Sequence, residues 1–141
     1  MLEITPRNAQ QWSRFGSRAV FGLAIFSLAE TKNELMVLSA DLGSSSGLSR
    51  FKNKYPDSYV NIGISEQNMI GVAAGLAKEG FVVFATSFAP FIAMRASEQI
   101  RMNLGYMNLN VKAVSIGSGV AMSFLGNSHY GIEDASIMRS I

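Results

Sequence analysis

Glu66 carries the most suggestive chemistry in this sequence. It follows a strand-like stretch closed by Gly63, and it opens a segment whose residues are largely apolar: Met69, Ile70, Val72, Ala73, Ala74, Leu76 and Ala77. A carboxyl group set between a helix terminus and apolar neighbours can exchange a proton with a heterocyclic nitrogen. An exposed glutamate at a helix start is the plainer alternative. Phe88 and Phe91 are three residues apart, with Met94 a further turn along. On a helix, two rings and a thioether so spaced form a flat apolar slot for a heteroaromatic ring, although ordinary core packing explains them equally well. His129 stands in the polar stretch Asn127-Ser128-His129-Tyr130, where a loop imidazole can meet a ligand or simply water. Arg18 can meet a phosphate or a surface carboxylate.

Two glycine-rich stretches invite sharper readings. Gly43-Ser44-Ser45-Ser46-Gly47 fits the G-x-S-x-G pattern of a hydrolase nucleophile elbow, with Ser45 as the nucleophile. The elbow needs a tight strand-to-helix turn, and Asp41 and Leu42 intervene. Gly117-Ser118-Gly119 resembles the start of a dinucleotide loop, but Met122 stands where the third glycine would be.

Composition narrows the remaining chemistry. The chain has 141 residues, enough for one domain with a real core. It has 12 basic and 10 acidic side chains, and a net charge of +2 gives no electrostatic footprint for nucleic acid. There is no cysteine and one histidine, which excludes disulfides, thiolate chemistry and multi-histidine metal sites. The apolar run from Phe81 to Met94 is too short, and too interrupted by Thr86, Ser87 and Pro90, to cross a bilayer. Arg14 and Arg18 before Ala19 to Ala29 look superficially like an export signal. The helical spacing of Phe15, Ala19, Leu23 and Phe26 instead predicts an amphipathic helix of a cytoplasmic protein.

The elements that must position these residues read as follows. Thr5-Pro6 opens one helix that runs to about Thr31. Leu35 to Ser39 is a strand buried on both faces, and Asp41 to Ser49 is the loop at its end. Tyr59 to Ile62 is a second strand, and Glu66 to Lys78 is a helix apolar nearly all round, predicted to be buried on every side by another subunit. Phe81 to Ala85 is a third strand, Phe88 to Leu104 a helix, Val111 to Ile116 a fourth strand, and Glu133 to Arg139 a last helix. Strands alternating with helices predict an α/β fold, a three-layer αβα sandwich with a mostly parallel sheet. In such sheets ligands sit at the strands' carboxyl ends.

Taken together, these motifs resemble one family. Asn61-Ile62-Gly63-Ile64-Ser65-Glu66-Gln67-Asn68-Met69, then Gly71 to Ala77, is similar to the pyrimidine-binding domain of transketolases. So are Thr86-Ser87-Phe88-Ala89-Pro90-Phe91 with Arg95 to Arg101, Asn108 to Lys112, and Ser128-His129-Tyr130-Gly131-Ile132-Glu133-Asp134. The resemblance runs from about Gly16 to Arg139, nearest to the separately encoded C-terminal section of split bacterial transketolases.

The resemblance implies the thiamine-diphosphate-binding fold, and a thiamine diphosphate enzyme that moves a two-carbon ketol unit between sugar phosphates. Glu66 then matches the glutamate at the pyrimidine ring nitrogen, and Phe88, Phe91 and Met94 match the positions that pack on that ring. Asp41 and Ile64 fall near the cofactor. Arg18 and Ser45 match positions that bind a sugar phosphate, and His129 matches a histidine near the substrate. The family's Mg2+ is held by a diphosphate-binding domain that no segment here resembles. The expected unit is therefore a C-terminally truncated pyrimidine module, inactive alone and completed by a partner subunit in a homo- or hetero-oligomer such as a dimer. Gly117 and Leu125 stand where some members have a histidine and an aspartate, which leaves the sugar open. A deoxyxylulose-phosphate synthase fragment, a 2-oxo acid dehydrogenase beta subunit and a non-catalytic assembly module are the competing expectations.

Overall fold

The structure is a computed structural model and describes residues 3–141. Its centre is a four-stranded sheet, in the order β2-β1-β3-β4, of β1 (Leu35–Ser39), β2 (Tyr59–Asn61), β3 (Val82–Phe88) and β4 (Val111–Ile116). Every pairing is parallel, with Leu38 opposite Val60 on one side and Ala85 on the other, and Ala85 opposite Ala113.

Both faces of the sheet are covered, and the two-residue period of the strands decides what each face receives. Leu35, Val37, Val82 and Phe84 point to the layer formed by α2 (Ser17–Ala29) and α3 (Ser49–Lys54), where Ile25, Leu48 and Phe51 meet them. Leu38, Val83 and Ala85 point to the opposite layer, formed by α4 (Glu66–Lys78) and the helical run after β3, and pack on Met69, Ile70, Ala73 and Ile92. Removing a side chain such as Leu38 or Ile70 from water contributes about 1.5–3 kcal/mol each, so this two-sided core is what holds the strand ends in place.

The N-terminal helix is two helices. Thr5 caps α1 (Pro6–Phe15) as expected, its hydroxyl accepting the Asn8 N–H at 3.2 Å. Gly16 then takes φ 77 and separates α1 from α2. The buried stripe of α2 is also not the one the spacing predicts. Gly22 and Ile25 are its buried residues, Phe21, Leu28 and Ala29 pack beside them, and Phe15 is exposed. An almost wholly apolar helix offers several stripes, and the missing side chain at Gly22 selects one by letting the helix backbone press on Gly47.

α4 has the expected bounds, and within this chain one of its sides is covered, leaving the other for the expected subunit. Met69, Ile70, Ala73 and Ala74 are buried, whereas Gln67, Asn68, Gly71, Gly75 and Lys78 face outward. The glycines count as apolar in a periodicity argument yet present no surface to bury. β3 outruns its expected end and reaches Phe88, because its ladder with β4 continues to the Phe88–Ile116 pair. Phe88 therefore ends a strand, and Phe91 begins the following π-helical turn, Phe91–Arg95. The rest of the run is irregular too, with α5 (Ser97–Ile100) followed by a second π-helical stretch, Arg101–Tyr106. The last helix, α6, is Asp134–Met138. No helix among the described residues is long and apolar enough to cross a membrane.

Candidate functional site

The order β2-β1-β3-β4 places a switch point between β1 and β3, where the chain crosses first to one side and then to the other, and their carboxyl ends open a crevice. A hollow of about 250 Å³ lies there. Ala40, Asp41 and Leu42 reach it from the end of β1, Ile64 from the loop after β2, Glu66 from the start of α4, Phe88 and Phe91 from the end of β3, and His129 from the loop after β4.

Glu66 is 1% exposed. The hydroxyl of Ser87, itself fully buried, donates to Glu66 Oε1 at 2.8 Å, and Arg95 Nη1 donates to Oε2 at 2.6 Å. A buried carboxylate without partners is strongly unfavourable, and these two donors are what make its position tenable. Three rings wall the same hollow. Phe91 lies 5.2 Å and Phe88 5.8 Å from the His129 ring, both edge-on, and the two phenylalanines are 6.2 Å apart. Ser128 Oγ sits 2.9 Å from His129 Nδ1 and orients the imidazole. The result is an apolar slot with one buried carboxyl group in its wall, which matches the needs of a flat nitrogen heterocycle.

Six of the expected residues are thus brought together: Asp41, Ile64, Glu66, Phe88, Phe91 and His129. Met94 is not among the lining residues and is half exposed, since the π-helical turn carries it past the slot. Arg18 and Ser45 meet each other, Arg18 Nη1 lying 3.5 Å from the Ser45 carbonyl oxygen. Neither lines the first hollow; Arg18 lines a second one, of about 210 Å³, between the start of α2 and Gly117 and Met122. The glycine-serine loop turns through residues 43–47 and enters α3 only at Ser49, so Ser45 stands on no strand-to-helix elbow. Among the described residues, no group of three His, Cys, Asp or Glu side chains could hold a metal ion.

Sequence reasoning assigned no role to Ser87, Arg95 or Asn61. Asn61 Oδ1 accepts the backbone N–H groups of Asp41 at 3.0 Å and Gly63 at 3.1 Å, fixing the two loops that flank the hollow. A signal for Arg95 existed: a buried carboxylate needs a cation, and Arg95 lies one turn beyond Phe91. Nothing in the sequence marks Ser87 apart from its place at a strand end.

Comparison with known proteins identifies the domain. The family described as transketolase, pyrimidine binding domain, matches residues 14–141. The chain belongs to this family. It is 43% identical over 126 residues to a protein of Methanocaldococcus jannaschii whose name gives it, provisionally, as a transketolase C-terminal section, covering 89% of this chain and 40% of that one. It is 39% identical over 113 residues to the 6-deoxy-6-sulfo-D-fructose transketolase subunit of a Clostridium strain, covering 80% of this chain and 35% of that one. Among solved structures, a split gene transketolase described as an inactive β4 tetramer is 41% identical with a TM-score of 0.74, over 88% of this chain and 39% of the other. The pyrimidine domain here thus spans about two-fifths of the length of these relatives. A transketolase from Campylobacter jejuni, at 22% identity and a TM-score of 0.79 over 87% of this chain and 20% of the other, shares the fold, which is the thiamine-diphosphate-binding fold.

Proposed function

We propose that this chain seats the aminopyrimidine ring of thiamine diphosphate in the hollow at the end of β1 and β3, as one part of a transketolase that transfers a two-carbon ketol unit between sugar phosphates. The observation that carries this reading is Glu66, 1% exposed in the wall of a slot lined by Phe88, Phe91 and His129. Thiamine diphosphate would supply the carbon nucleophile. The residues of this chain bind and orient it: the two phenylalanine rings pack on the heterocycle, and Glu66 holds a proton at a carboxyl oxygen against a ring nitrogen. Ile64 and Asp41 flank the mouth. His129 faces the sugar, and Arg18, beside Ser45, takes its phosphate at the second hollow.

The diphosphate and its Mg2+ fall to a partner domain or subunit, since this domain offers the ring-binding half of a site. The split-gene relative described as an inactive β4 tetramer supports the expectation that this cytoplasmic chain forms an oligomer and turns over only with such a partner. Relatives are named for different sugars, 6-deoxy-6-sulfo-D-fructose and apulose 4-phosphate among them. The sugar taken here is set in part by Gly117 and Leu125, where the resemblance implies a histidine and an aspartate in some members. The test is ketol transfer between sugar phosphates by the chain combined with a diphosphate-binding transketolase subunit. Glu66→Gln lowers turnover at least about 100-fold, the usual reach of a positioned acid. Full turnover by that variant would remove Glu66 from the chemistry.

A further inference from the structure

The pairing of Arg95 with Glu66 stands against the proton that the proposed role of Glu66 requires. Arg95 Nη1 takes Oε2 at 2.6 Å, while the Ser87 hydroxyl takes Oε1, so both carboxyl oxygens are engaged by donors. A proton shared with a ring nitrogen must sit on one of these oxygens. A proton on that carboxyl group removes the charge that holds the guanidinium 2.6 Å from Oε2, so the ion pair and the O–H···N bond weaken each other, and Arg95 does not give up a proton of its own. Ser87 is fully buried and fixed at a strand end, so it is not the partner that can leave.

Arg95 can leave. Its side chain is 44% exposed while that of Glu66 is 1% exposed. Its guanidinium lies 4.3 Å above the Phe91 ring, and Phe91 lines the hollow. Its backbone is held independently, by Gln67 Nε2 donating to the Arg95 carbonyl oxygen at 3.0 Å. It ends the π-helical turn Phe91–Arg95, after which Ala96 departs from helical geometry with φ −104 and ψ 14.

We propose that Arg95 is a displaceable latch on Glu66, a positioning residue that keeps the carboxylate paired until a heterocycle packs on Phe91, then swings toward solvent and releases Oε2. The released carboxylate takes a proton from a solvent acid (hydronium or a protonated buffer molecule, whose conjugate base stays in solution) and shares it with the ring nitrogen as O–H···N, the guanidinium keeping its charge throughout. This inference rests on the reading of the hollow as an aminopyrimidine site.

The probe is 4-amino-5-hydroxymethyl-2-methylpyrimidine, titrated into the chain and followed by the 15N signals of the Arg95 guanidinium. The expected result is loss of the restrained, ion-paired Arg95 signal as the probe saturates. Arg95→Met is expected to bind the probe about three- to tenfold more tightly than the parent, the range set by opening a partly exposed ion pair, and Arg95→Lys returns affinity toward the parent value. If Arg95→Met does not fold, the titration of the parent chain decides alone. Binding with the ion-paired signal retained, or equal affinity in parent and Arg95→Met, overturns the latch and leaves the ring site standing. No binding to either overturns both.

Discussion

Asn61 and Asp41 close a ring of hydrogen bonds across the ends of β2 and β1. The Asp41 N–H donates to Asn61 Oδ1 at 3.0 Å, and Asn61 Nδ2 donates back to Asp41 Oδ1 at 3.0 Å. Asp41 needs this support because it sits at φ 58, in the left-handed region that costs most residues roughly 1–2 kcal/mol. Asparagine and aspartate tolerate that region, so Asp41→Asn is expected to keep stability within about 0.5 kcal/mol, whereas Asp41→Val loses both the bond and the tolerance and costs about 2–3 kcal/mol. Asn61→Ala is expected to cost about 1–2 kcal/mol. Urea unfolding midpoints check all three, and equal stability of Asp41→Asn and Asp41→Val would mean that the clamp does not hold the loop.

Ser87 and Glu66 form the buried half of the site, and their interaction is measurable without any ligand. Ser87→Ala removes the donor to Oε1 and is expected to cost about 1.5–3 kcal/mol, the range for a hydrogen bond to a charged group. Glu66→Gln is milder: its carbonyl can accept from Arg95, while its NH2 donates to a Ser87 hydroxyl that rotates to accept. In the double variant the two losses are expected to overlap, with a coupling of about 1 kcal/mol in urea unfolding. Strict additivity would show that the charge on Glu66 does not strengthen the 2.8 Å contact.

Two helix glycines are expected to respond to alanine in opposite senses. A Cβ on Gly22 would drive into the carbonyl of Gly47, a backbone atom that cannot step aside, so Gly22→Ala is expected to cost about 1–3 kcal/mol. A Cβ on Gly71 meets nothing within 4 Å, and Gly71→Ala is expected to stabilise the chain by about 0.5–1 kcal/mol through helix propensity alone. Thermal melts of the two variants test the assignment of the α2 face. A neutral Gly22→Ala would place that face elsewhere.

The strands and α4 are legible in the sequence because their signals are local: a doubly buried strand must be a continuous apolar run, as Leu35 to Leu38 is. The face of α2 is not legible, since its choice depends on Gly47, which the sequence does not bring near Gly22. The Phe88–Phe91 pair was expected on one helix, and it fell across a strand end because cross-strand pairing with Ile116 outweighs the helical spacing. Asp41, Glu66, Phe88 and His129 come from two loops, a helix start and a strand end; motif order indicated that they converge, but only tertiary packing reveals Arg95 closing on Glu66.

Gly117 offers a last test, at the sugar-facing end of the proposed site. It holds φ 72, and a Cβ built there would lie 2.7 Å from Met122 Cε and 3.1 Å from Met122 Cγ. Met122 is buried against Phe88 and Ile116, so its thioether fills the space that a side chain at position 117 would need. Gly117→His is therefore expected to cost about 2–4 kcal/mol, part from left-handed strain and part from overpacking. Met122→Ala leaves a cavity and is expected to cost about 2–5 kcal/mol alone. Combined, the two changes share one space, and the double variant should fall short of the summed losses by about 1 kcal/mol or more. Urea unfolding of the four chains measures this. If the effects simply add, Met122 does not occupy the place of a histidine, and the departure at Gly117 would be a matter of backbone conformation alone.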